Sequence, residues 1–332
     1  MHSHEGLQEQ LLLAAPLIID DARDSTAQQE AVITLADFSF TPPEEIYERL
    51  RNGNRKPRKT PKAPDLNDVN YDAFLANDRT LSDPETIRVE PGETMLLRVI
   101  NASAMSAYHI DLGDLLGALV AVDGSSVHPI AGRRFPIAVS QRLDILIAIP
   151  KRPASHPVLA ILQSERRQTG VILVAGKAPV TRLPERAPVA SSALNLDLER
   201  RLRATKPLAA RTPDRILHVD LTGEMSGYLW SINGVVWNKD VPPLTVAQGE
   251  RVEMEITNRT LMPHPMHLHG HRFQVVEIDG ERFFGAVRDT VLAPPGKRVV
   301  IAFDANNPGW WAFHCHLLYH QAAGMFTTLK YV

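Results

Sequence analysis

The chain has 332 residues, 44% hydrophobic and 22% charged, with a formal net charge of -2. That length suffices for about two domains of ordinary size, and the near-neutral balance argues against a general nucleic-acid binder. No apolar run reaches the ~18 residues of a membrane span. The opening MHSHEGLQEQ lacks the basic start of a secretion signal, and one cysteine, Cys315, excludes an internal disulfide.

In chain order, the first feature is His2-Ser3-His4, an i, i+2 histidine pair at the extreme N-terminus, where chains fray unless tied down. FTPPEEIYERL reads as a short helix, with proline at its start and acids in its first turn. The stretch Arg51 to Asp68 is strongly basic but has no interleaved aromatics, so it reads as a solvated loop rather than a nucleic-acid site. Thr86 to Ser103 reads as strand, tight turn at Pro91-Gly92, strand, and Pro243 to Thr260 repeats that pattern. Each is followed by a segment starting near a histidine, Tyr108-His109 in one and His264 in the other. The pattern predicts two domains sharing one all-β topology. Between them, Ala178 to Arg215 is rich in Pro, Ala and Arg and reads as a connection with one short helix near Leu194 to Leu202.

The strongest signal is His314-Cys315-His316-Leu317-Leu318-Tyr319-His320, with Met325 five residues beyond. On a strand, successive side chains point to opposite faces, so His314 and His316 face one way and Cys315 the other. One tripeptide can therefore serve two metal centres. Cys315, His320 and Met325, with a second histidine from elsewhere, make the trigonal His2Cys set with a weak axial Met of a blue-copper site. His264-Pro265-Met266-His267-Leu268-His269 can supply that histidine: His267 and His269 share a strand face, and His264, offset by proline, can reach the other. Zinc is the alternative metal, but a structural zinc site would want two or more cysteines or paired finger spacings, and neither is present. His109, His128, His156 and His218 read as structural, and His271 as a supporting or surface residue.

HPMHLHG and HCHLLYHQAAGM resemble the two C-terminal copper signatures of the multicopper oxidases, the group of laccases, cuprous oxidases and bacterial copper-resistance oxidases. HSHEGLQEQ resembles that family's second N-terminal signature, and NGVVWN, RDTVLAPPG and NPGWWAFHCH resemble its last domain. The resemblance spans essentially the whole chain. It implies an all-β fold of tandem cupredoxin-like Greek-key sandwiches. Residues 1–24 would be the remnant of a first domain, 27–178 a middle domain without copper, 179–209 a linker and 210–332 the copper-bearing domain. By that resemblance His264, Cys315, His320 and Met325 would hold type 1 copper, which takes electrons from substrate. His4, His269 and His314 would hold one type 3 copper, His2 and His316 the other, and His267 the type 2 copper.

The implied activity is one-electron oxidation of a phenol-like or metal-ion donor, coupled to four-electron reduction of dioxygen to water. Cys315, His314 and His316 would carry electrons between sites. The implied location is periplasmic or extracellular. The family's first His-x-His-Gly has no counterpart in these residues, so the reading expects an N-terminally truncated chain that by itself turns over little. Position 321, a carboxylate in some relatives that deliver protons there, is Gln321. Two further readings compete: a non-catalytic electron-transfer protein with only the type 1 site, and a two-domain reductase of the nitrite-reducing kind. The paired HxH signatures, which build a trinuclear cluster, argue against the last.

Overall fold

The computed structural model describes residues 1–19, 27–53 and 66–332. They divide into two compact units, one of residues 1–40 and 70–194, the other of residues 41–69 and 195–332.

The first unit is a sandwich of two sheets. The larger runs in the spatial order Ala73–Ala76, Gln29–Phe38, Thr94–Asn101, Arg142–Ala148, Gly117–Val122, Ser125–Gly132. The smaller runs Thr86–Val89, Gln168–Ala175, Ala154–Leu162, Tyr108–Asp111, Arg134–Ile137. Each sheet has one parallel pair, Gln29–Phe38 with Thr94–Asn101 and Gln168–Ala175 with Thr86–Val89. Period-two alternation explains the layering: Ile33, Leu35, Leu97, Val99, Ile145 and Ile147 are all buried. Fully burying such a side chain contributes roughly 1.5–3 kcal/mol.

The second unit repeats this plan, with one short extra strand, Val287–Arg288, paired to Phe273–Ile278. Its larger sheet runs Leu229–Ile232, Arg215–Glu224, Arg251–Asn258, Arg298–Asp304, Phe273–Ile278, Glu281–Arg282. Its smaller sheet runs Leu244–Val246, Phe326–Tyr331, Trp310–Cys315, His264–Leu268, Thr290–Ala293. The parallel pairs recur in the same places. Val252, Met254, Ile256, Val275, Ile301, Phe303 and Phe313 fill this core with no measurable exposure.

The two stretches read as strand, turn, strand do form strands, but the members of each do not pair with each other. Thr86–Val89 lies in one sheet and Thr94–Asn101 in the other, and Leu244–Val246 and Arg251–Asn258 divide in the same way. Their turns hold Gly92 and Gly249 at the same φ of +86°, a backbone region open chiefly to glycine. The helix expected in FTPPEEIYERL spans Pro43–Arg51, and the helix of the connecting segment spans Asp197–Arg201. Residues 41–53 and 66–69 belong to the second unit although they follow the first strand of the first. The middle of the basic stretch, residues 54–65, lies outside the described residues.

Candidate metal centre

His264 opens the strand His264–Leu268, and Cys315 closes the neighbouring antiparallel strand Trp310–Cys315. The register sets Met266 opposite Cys315 and His267 opposite His314. Directly opposed residues of an antiparallel pair project from the same face. His264 therefore shares a face with Met266 and Cys315, while His267 and His314 share the other. The helix Leu318–Ala322, buried at Leu318, Tyr319 and His320, then carries His320 back beside Cys315.

Cys315 Sγ lies 3.6 Å from His264 Nδ1 and 4.0 Å from His320 Nδ1, and those two nitrogens are 3.1 Å apart. All three side chains are buried. Their outer nitrogens are engaged elsewhere. His320 Nε2 donates to Asp68 Oδ2 at 2.7 Å. Thr260 gives its hydroxyl proton to Asn258 Oδ1 at 2.8 Å, so its oxygen accepts from His264 Nε2, also at 2.8 Å. With the proton on Nε2 in both rings, each Nδ1 presents a lone pair to the same small space beside the thiol.

Burial pushes the Cys315 thiol well above its ordinary range. It drives His264 well below its own, helped by the neighbouring His320 and opposed by Asp68. The imidazole is thus neutral and ready to ligate, and a soft cation would favour the thiolate that burial disfavours. This donor set fits copper.

Met325 is buried, and its backbone ties it to the site: Cys315 N donates to Met325 O and Met325 N to His320 O, both at 3.0 Å. Gly324 makes that return possible. A Cβ there would lie 2.5 Å from Val236 Cγ1 and 2.8 Å from Trp230 O, and its φ is +113°. Trp230 stacks on His320 with ring centroids 4.1 Å apart.

On the opposite face four histidines gather. The ring centroids of His267 lie 4.6, 5.7 and 5.7 Å from those of His269, His314 and His316. His267 Nδ1 donates to Asp289 O at 2.8 Å and His314 Nδ1 to Cys315 O at 2.9 Å. In both, that donation puts the ring's lone pair on Nε2. His269 Nε2 and His314 Nε2 are 3.0 Å apart. His271 is buried rather than on the surface: its Nδ1 donates to His269 O at 3.0 Å and its Nε2 accepts from Tyr331 at 2.6 Å. It holds the backbone that presents His269.

His2 and His4 lie in the first unit, ring centroids 4.5 Å apart, with His2 Nδ1 3.4 Å from the buried Glu9 carboxylate. The N-terminus is tied rather than frayed. Ser3 N bonds Leu13 O at 2.9 Å and Ala15 N bonds Met1 O at 2.8 Å. Gln10, accepting from Tyr71 at 2.6 Å and donating to Asp37 O at 3.2 Å, pins the segment to the sandwich. His109 and His218 have ordinary partners, Ser192 O and Glu255.

Four residues at the site escaped the sequence reading: Asp68, Tyr228, Trp230 and Thr260. Asp68, expected in a solvated loop, is buried because His320 and Tyr228 both donate to its Oδ2 at 2.7 Å.

Two family models, both described as multicopper oxidase, match residues 29–175 and 210–332. The chain is 29% identical to the multicopper oxidase MmcO of Mycobacterium tuberculosis, covering 100% of this chain and 68% of that protein. It is 25% identical to a copper resistance protein A homolog of Pseudomonas syringae pv. tomato, covering 99% and 76%. Among solved structures it resembles the multicopper oxidase Fet3p, with a TM-score of 0.83 at 19% identity over 99% of this chain and 71% of that one. A laccase from Botrytis aclada superposes with a TM-score of 0.81 at 19% identity, over 99% and 68%. These likenesses give the fold, tandem cupredoxin-like sandwiches. The chain belongs to the multicopper oxidase family, copper-dependent oxidoreductases with dioxygen as electron acceptor.

Proposed function

We propose that the second unit receives electrons at a type 1 copper held by His264, Cys315, His320 and Met325, and passes them through Cys315 to copper on the opposite strand face. The observation that carries this is the convergence of two Nδ1 lone pairs and one buried thiol within 4.0 Å. Copper held by these residues would supply one-electron redox chemistry, and the family's cluster would need four such electrons to reduce dioxygen to two waters. The backbone of His314-Cys315-His316 supplies the route, since the middle residue serves one face and its two neighbours the other. His267, His269, His314 and His316 are the proposed cluster ligands of the second unit, and His2 and His4 those of the first.

The donor is a phenol-like molecule or a metal ion, the choice left by the family. The proposed location is periplasmic or extracellular; among the described residues no helix is long and apolar enough to cross a membrane. The test is a copper titration followed by visible absorption. One copper bound at Cys315 should give the intense thiolate charge-transfer band of a blue site, and Cys315→Ser should abolish it while the four opposite histidines still retain metal. A band of full strength in Cys315→Ser would refute the assignment.

A further inference from the structure

The connecting segment is bonded along the second unit from residue 195 onward. Leu208 N donates to Gln274 Oε1 at 3.0 Å and Ala204 N to Gly285 O at 3.2 Å. On the short helix Asp197–Arg201, Arg200 reaches Asp279 at 3.0 Å and Glu281 at 2.9 Å. The neighbouring Glu199 is different in kind. It pairs with Arg288, and the two side chains are only 7% and 3% exposed.

Arg288 stands where the chain changes sheets. It pairs with Phe273 in the larger sheet, and Thr290, two residues on, pairs with His267 in the smaller. Asp289 makes the crossing and belongs to neither strand. Its carbonyl accepts from Leu268 N at 3.2 Å and from His267 Nδ1 at 2.8 Å. Thr290 Oγ1, which gives its own proton to Asp289 Oδ1 at 3.0 Å, lies 3.1 Å from the same ring nitrogen. A carbonyl can only accept, so the place of the Asp289 oxygen decides which His267 nitrogen carries the proton.

Resting on the assignment of His267 as a cluster ligand, we infer that Glu199 is a positioning residue for that histidine. By holding the Arg288 guanidinium it fixes the corner between the sheets, and the Asp289 carbonyl at that corner keeps the His267 lone pair on Nε2. Desolvation is the cause. A guanidinium is always charged, and one held out of water that loses a carboxylate must shift toward another acceptor. The adjoining peptide shifts with it. The connecting segment thereby shapes a metal-facing histidine far from it in sequence. Loss of outer support for a ligand histidine typically costs ~10–100-fold in metal affinity. Glu199 acts through Arg288 and the backbone, so the low end, about tenfold, is expected.

The first measurement needs no metal. In the metal-free chain, ¹⁵N NMR should show His267 protonated at Nδ1, and Glu199→Ala should give a mixture of tautomers. Arg200→Ala, which cuts the ties of the same helix to Asp279 and Glu281, should leave His267 unchanged. Glu199→Gln, which keeps shape and an acceptor, should give a smaller change of the same kind, and it decides the matter if the alanine variant does not fold. Glu199→Asp should recover part of the wild-type spectrum. In the copper-loaded chain, chelator competition should show copper outside the blue site held about tenfold more weakly in Glu199→Ala, with the blue band unchanged. A His267 tautomer unaltered in both Glu199→Ala and Glu199→Gln overturns the inference, and so does an equal change in Arg200→Ala. A wild-type chain that holds copper only at Cys315 would instead remove the cluster assignment, and this inference with it, whatever the tautomers show.

Discussion

The two units are one scaffold used twice, and only the second brings a cysteine and two histidines together at its smaller sheet. Tyr108 occupies the place of His264: each begins the corresponding strand, and they pair with Ile137 and Ala293. Ile110 faces Ala160 as Met266 faces Cys315, so Leu159-Ala160-Ile161 stands where His314-Cys315-His316 stands. Even the supports correspond. Ser103 Oγ bonds the Tyr108 hydroxyl at 2.9 Å, as Thr260 Oγ1 bonds His264 Nε2 at 2.8 Å. Asn101 organises the preceding turn through Ser103 N and Ser106 O, and Asn258 does the same through Thr260 N and Met262 O.

What differs is a few side chains and one loop. Between Ala154–Leu162 and Gln168–Ala175 the first unit spends only residues 163–167, whereas the second spends 316–325 between Trp310–Cys315 and Phe326–Tyr331. The longer loop carries His320 and Met325. The sandwich plan is thus common to both units, and the proposed ligands come with a few exchanged side chains and one longer loop.

That equivalence can be broken deliberately. Asn101→Ala and Asn258→Ala each remove a buried side chain that satisfies several backbone groups, so each should cost about 2–4 kcal/mol in denaturant unfolding. Only Asn258→Ala should also weaken copper binding, because Thr260 and hence His264 lose their support. Equal copper affinities in the two variants would mean that the turn does not position the ligand.

A smaller effect concerns pH in the metal-free chain. His264 is held neutral by burial, its folded pKa lying well below the ordinary value. Below about pH 6.5 the unfolded chain takes up a proton at this residue that the folded chain refuses. The stability this group contributes is therefore full above that pH and falls as pH drops, by up to ~1.4 kcal/mol per pH unit. Tyr108, the counterpart, is a phenol pushed well above its ordinary range by burial, so it stays neutral throughout. Melting temperatures of wild type and His264→Gln between pH 7.5 and 5.5 should diverge on that account, and parallel curves would contradict it.

The smallest expected change is electronic. Met325→Leu should leave the fold and the bound copper in place and raise the potential, since the axial ligand tunes such sites. An unchanged or lowered potential by voltammetry would place Met325 outside the coordination sphere.

The site was legible in the sequence where its geometry is local. Strand alternation divides His314, Cys315 and His316 between two faces, and the same rule groups His267 with His269. The repeat at Thr86 and Pro243 showed two like domains but not that each turn links different sheets, because strand pairing is settled by distant partners such as Gln29–Phe38. Asp68 was illegible for the same reason. It is 252 residues from His320 and sits at the end of a basic, polar stretch where a carboxylate is ordinarily solvated. The tie at the N-terminus likewise depends on Gln10 meeting Asp37 and Tyr71, which nothing near His2 announces.

The most direct test of the central claim is to locate the metal. Anomalous diffraction at the copper edge, from crystals of the copper-loaded chain, should show an ion bonded to Cys315 Sγ and to Nδ1 of His264 and His320, with Met325 Sδ as the more distant neighbour. The equivalent place in the first unit, beside Tyr108 and Ala160, should show none. Copper bound to these histidines through Nε2, copper absent from Cys315, or copper of equal strength beside Tyr108 would contradict the account.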